Sequence, residues 1–197
     1  MFNIILDALP TTWNEYAVDM DFRTGIQISQ CLMDEELSNK EKFLTAVSLM
    51  FPDEFPQDYE QIEEALKWYL SGWNPQYWLE QEQKKSEGPV VMDFDIDQGY
   101  IYAAFMRQYG MDLSKDDLHF WKFMGLLSCL DECTFTRIVS IREKKITSKM
   151  SKEEKEAIRK AKELFRIRKN RKLDEAEDAR EKRQQAIEEF NRLRGAT

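Results

Sequence analysis

The aromatic bulk of this chain and its positive charge occupy different parts of it, and no other feature limits its folding so strongly. All five Trp and all five Pro of the 197 residues lie ahead of residue 142. Residues 1–142 carry 11 Lys/Arg against 25 Asp/Glu, a net of −14; residues 143–197 carry 18 against 12, a net of +6, and the whole chain is −8. Large rings supply buried area, whereas a stretch of Ala, Glu, Lys and Arg cannot close a core of its own. The expectation is a mainly α protein. A compact acidic helical domain at 1–145, with a short N-terminal β-hairpin, precedes a basic tail at 146–197 that forms a long charged helix or helical arm.

Local patterns fill in the domain. "NIIL" (3–6), the turn signal Leu9-Pro10 and the alternation of Tyr16, Val18 and Met20 predict a two-stranded hairpin. Helical periodicity follows. A short helix is expected over 21–33, and a second opens at Ser38 with Glu41 three residues on, placing Phe43, Leu44, Val47 and Met50 on one face. A third over 58–72 sets Tyr59, Ile62, Leu66 and Tyr69 in register and ends at Gly72. "WNPQYW" reads as a short turn or helix and 80–89 as a polar surface loop. A helix from about Ile96 to Tyr109 carries a stripe of Ile101, Tyr102, Phe105, Met106 and Tyr109, stopped by Gly110.

Ser114 then caps a helix that is apolar around most of its circumference, which predicts a central, buried element. Its polar strip is Lys115, Asp116, His119 and Lys122, so the only histidine is expected at the solvent-facing rim. Thr134 caps a further helix with Phe135, Ile138, Val139 and Arg142 on one face. From 151 to 194 there is neither Pro nor Gly, consistent with one or two long helices.

Few motifs carry chemistry. "DFDIDQG" (93–99) imitates a calcium loop, but Gln98 stands where the loop needs Gly and Ala104 where it needs Glu. Phosphate-loop, dinucleotide, zinc-protease and nucleophile-elbow signatures are missing, and no nucleophile or second base accompanies His119. The expectation is a protein without catalysis, cofactor or metal. Cys31, Cys129 and Cys133 are expected as reduced, mostly buried thiols. No apolar run approaches the ~20 residues of a membrane helix, and "MFNIILDALP" lacks the basic start of a signal peptide.

Two surfaces invite partners. "RIRKNRK" is a basic patch of Arg166, Arg168, Lys169, Arg171 and Lys172, fit for an acidic protein surface, its own included, or for phosphates. The −14 of the domain argues against nucleic acid, which stays as the alternative. Trp68, Trp73, Tyr77 and Trp78 crowd residues 68–78, where they either close the core or line a groove for a partner helix.

Five blocks in fixed order carry a family resemblance: "DFRTGI", "WYLSGW", "IYAAFMRQYGMDL", "LHFWKFMGLL" and "TFTRIVSIR". Over residues 9–145 they resemble the phage "gene product fifteen" family of siphophage tail gene clusters. His119-Phe120-Trp121 stands where that family often has His-Trp-Trp, and the charged tail is outside the pattern. The resemblance implies a gene between those of the major tail protein and the tape measure protein. That is the place of tail assembly chaperones, which coat the tape measure protein and recruit tail-tube subunits. It implies no catalytic residues. The expected partners are therefore the tape measure protein and the tail-tube protein, with self-association through the C-terminal tail. The expected setting is the host cytoplasm, with the protein absent from the finished virion.

Overall fold

The computed structural model describes residues 3–72 and 90–167. The expectations for "WNPQYW", the 80–89 loop and the tail beyond 167 lie outside those residues. The described chain is mainly helical, with seven helices and one two-stranded hairpin.

In the hairpin, β1 (Thr12–Trp13) pairs antiparallel with β2 (Tyr16–Ala17), Trp13 opposite Tyr16. The turn falls at Asn14-Glu15, not at Leu9-Pro10. Asn14 takes a φ of 51°, a left-handed conformation that Asn tolerates and the fixed negative φ of Pro excludes. "NIIL" is consequently not a strand: residues 4–6 form an exposed turn, with the Leu6 and Asp7 amides donating to the Asn3 carbonyl.

Helix α1 (Phe22–Met33) is capped by Asp21, which accepts from the Arg23 amide. Helix α2 (Asn39–Met50) has the reciprocal Ser38–Glu41 capping box that its sequence announces, and α3 (Tyr59–Ser71) starts at Asp58 and ends at Gly72. The faces are shifted from the expected stripes. Ala46, Val47 and Met50 of α2 are buried and Leu44 is exposed; Ile62, Ala65, Leu66 and Tyr69 of α3 are buried and Tyr59 is exposed. Tyr59 instead stacks on half-buried Phe43 at 4.9 Å between centroids.

Helix α4 (Phe94–Tyr109) ends at Gly110 with φ 65°, the left-handed cap that glycine adopts without strain. Its buried face is Asp97, Ile101, Ala104 and Phe105. Tyr102 and Met106, expected in that stripe, are 39% and 42% exposed. They lie about 100° around the helix from Ile101 and Phe105, beyond the edge of the core contact.

Helix α5 (Phe120–Ser128) is the central element: Phe120, Trp121, Phe123 and Leu127 are buried. It begins five residues later than the Ser114 cap predicts. The Phe22 amide donates to the Leu118 carbonyl and the Phe120 amide to the Met20 carbonyl, forming a bridge between Asp21 and His119. That pairing, nearly a hundred residues apart in sequence, holds 118–119 extended and moves the helix start to His119, which is the N-cap. Ser114 instead serves a turn, donating from its hydroxyl and its amide to Asp112.

Helix α6 (Thr134–Glu143) starts one residue earlier than expected, with Cys133 at the cap and its amide donating to Thr136. Helix α7 (Lys152–Leu164) has its own Ser151–Glu154 capping box and stops at Phe165. The core is a relay of rings: Phe22 on Phe123 at 5.0 Å, Phe105 on Phe123 at 5.2 Å, Tyr69 on Phe120 at 5.2 Å. Helix α1 reaches this relay at Gly25, where any Cβ would lie 2.1 Å from the Phe120 ring. Only glycine permits that approach.

Candidate partner-binding site

Between α1 and α4 runs a groove of about 460 Å³, within the size range of ligand sites. Phe123 and Ile101 form its floor, Ile26 and Leu113 one flank, and Phe94 and Tyr102 the other. Its origin is the rotation of α4: the helix turns Ile101 and Phe105 to the core, so Asp95, Gln98, Gly99 and Tyr102 border the groove and Met106 follows on the exposed side. Gly99 lies at the rim, and a Cβ built there meets nothing within 4 Å.

A second hollow of about 680 Å³ continues from it, sharing Gln30, Phe94 and Asp95. Carboxylates dominate this end: Asp34, Glu35, Glu36, Asp93 and Asp95, among Cys31, Met33 and Met92. Among the described residues, neither lining contains a Lys or Arg.

The "DFDIDQG" aspartates have three separate tasks. Asp93 caps α4, accepting from the Asp95 and Ile96 amides at 2.9 and 3.0 Å; Asp95 accepts from the Gln30 side chain at 2.7 Å. Asp97 is 0% exposed and pairs with Arg142, 6% exposed, through two bonds of 2.6 and 2.9 Å. Arg142 also donates to the carbonyls of Val91 (3.1 Å) and Phe165 (2.6 Å), while Lys162 donates back to the Arg142 carbonyl at 2.8 Å. One guanidinium thus ties the approach to α4, α4 itself, α6 and the end of α7. The expected boundary at residue 145 falls in the α6–α7 connection, across which this strap reaches. Among the described residues no cluster of His, Cys, Asp or Glu is arranged to hold a metal ion.

His119 is half-buried rather than at the rim of a polar strip. Its Nδ1 accepts from the Trp121 amide at 3.1 Å, so the ring is neutral with its proton on Nε2, which donates to the Pro10 carbonyl at 2.8 Å. Burial pushes its pKa below the ordinary histidine value, and the Pro10 bond only partly opposes this. Asp112 is held well below the usual carboxylate range, first by the Ser114 hydroxyl and then by Lys115. The thiols are free, yet less enclosed than expected: Cys129 is exposed, Cys31 and Cys133 partly buried.

Of the aromatic cluster predicted from sequence, Trp68 is half-buried and edge-on to Trp121 at 5.0 Å, away from the groove; Trp73, Tyr77 and Trp78 lie outside the described residues. Of the basic patch, Arg166 is exposed just beyond α7, while Arg168, Lys169, Arg171 and Lys172 lie outside. The groove escaped the sequence reading because its rim residue Tyr102 fits the apolar stripe of α4 as well as core residues do. Gly99, a glycine inside a helical pattern, was the available signal.

No helix among the described residues is long and apolar enough to cross a membrane. No curated protein and no solved structure matches the chain. A family model does match, and it extends past residue 145, where the aromatic blocks end, to take in α7 and its strap. Matched over residues 5–167 by the model for the bacteriophage Gp15 protein, the chain belongs to that phage family.

Proposed function

We propose that this phage protein is a tail assembly chaperone. It binds the tape measure protein in the host cytoplasm, helps recruit tail-tube subunits, performs no catalysis, and departs before the virion is complete. The observation that carries this reading is the open apolar groove beside α4, with Tyr102 exposed at its edge and Met106 exposed one turn further along the helix. A tape measure protein presents long apolar helical stripes before the tube encloses it, which makes it prone to aggregate. A groove between two helices suits such a stripe, and methionine adapts to varied side chains.

The test is co-expression with the tape measure protein of the same phage. The expected result is that the tape measure protein moves from the insoluble to the soluble fraction and elutes together with this chain. Equal solubility with and without the chain, or separate elution, would overturn the proposal.

A further inference from the structure

The groove and the acidic hollow are one continuous surface with unlike ends, apolar around Ile101 and Phe123 and carboxylate-lined from Asp34 to Glu36. We infer that this surface takes a cationic amphipathic helix, laid along α4 with its apolar stripe on the groove floor and its Lys/Arg-bearing end over Asp34, Glu36 and Asp95. The inference rests on the chaperone reading and specifies its site and the chemistry of the partner segment.

Two independent observations support it. The first is charge complementarity: Asp34, Glu36, Asp93 and Asp95 line the hollow with no Lys or Arg among the described lining residues, and the α1 C-terminus ending there adds the negative end of a helix dipole. The second is Gly99. Inside a helix, glycine costs about 1 kcal/mol relative to alanine, and at this position nothing among the described residues needs the space. A bare helical surface beside an apolar groove lets a second backbone approach closely. With α1 and α4 as walls of 12 and 16 residues, a partner helix of roughly three to four turns would be covered.

Fluorescence anisotropy on the full chain provides the test. The probe is a fluorescein-labelled peptide of Leu and Lys with all Leu on one helical face; controls are the same peptide with Glu for Lys, and a scrambled Leu/Lys order. The Leu/Lys helix should bind, the controls at least about tenfold more weakly, a difference of about 1.4 kcal/mol. Gly99→Trp should fill the groove and weaken binding by about tenfold or more while leaving the melting curve in place. Asp95→Lys, at an exposed position, should weaken the Lys peptide and improve the Glu peptide, and it serves should Gly99→Trp fail to fold. Equal binding of the Lys and Glu peptides, or undiminished binding by both variants, overturns the inference.

Co-expression of each variant with the tape measure protein separates the two claims. Solubilisation by wild type and by both variants alike leaves the chaperone reading standing and removes the groove. Groove-dependent peptide binding without solubilisation by wild type does the reverse.

Discussion

At the scale of single residues, His119 and the Asp97–Arg142 pair carry the sharpest consequences. The neutral ring of His119 accepts the Trp121 amide, and protonating that nitrogen removes the α5 cap. Its folded pKa is lowered by burial. The unfolded chain therefore takes up this proton at higher pH than the folded one. Stability is fully present above about 6.5, the ordinary histidine value, and declines as pH falls through it. Thermal unfolding followed from pH 7.5 to 5 should show that decline, and His119→Asn, which still caps, should flatten it. An unchanged slope in the variant would remove the role. Asp97→Asn leaves Arg142 buried without its counter-charge and should destabilise by about 3–5 kcal/mol in denaturant unfolding, whereas replacing both members with apolar residues should recover most of the loss. A single-variant loss within 0.5 kcal/mol, the range of an ordinary surface change, would contradict the burial of the pair.

At the scale of elements, most helix starts and stops were legible because their signals are local. Ser38–Glu41, Gly72 and Gly110 each act within a few residues of where they stand. The failures came from distant partners. Ser114 is a sound cap by type, yet the pairing of Leu118–Phe120 with Met20–Phe22 overrides it. Arg142 is expected on one face with Phe135, Ile138 and Val139, but its partner Asp97, 45 positions away, stands in the sequence only as part of a calcium-loop imitation. The candidate groove was illegible for a related reason: periodicity finds an apolar stripe but not the angle at which the helix meets the core, and that angle leaves Tyr102 outside. Gly25 tests the α1–α5 contact. Gly25→Ala adds a methyl against Phe120 and should cost about 1–3 kcal/mol from overpacking despite the better helix propensity. Gly99→Ala, in open space, should instead stabilise by up to about 1 kcal/mol. Opposite signs in the same urea titration are the expected result, and equal signs would contradict the packing of one or the other.

At the scale of the whole molecule, an acidic body rich in rings is fastened by Arg142 and Lys162 to α7 and the residue that ends it. Truncation after Ile167 should keep the melting temperature of the full chain. Truncation after Met150 removes the Phe165 carbonyl and Lys162 and should cost about 1–3 kcal/mol, the range for strong hydrogen bonds left unmade. If the two truncations melt alike, the strap has no energetic weight. The central claim, that the α1–α4 surface receives a helix of the tape measure protein, is tested most directly by hydrogen exchange on the mixture of the two proteins. The account predicts slowed exchange in peptides covering residues 26–36 and 94–106 with little change in α7. Unchanged exchange across those peptides in a complex that demonstrably forms would contradict it.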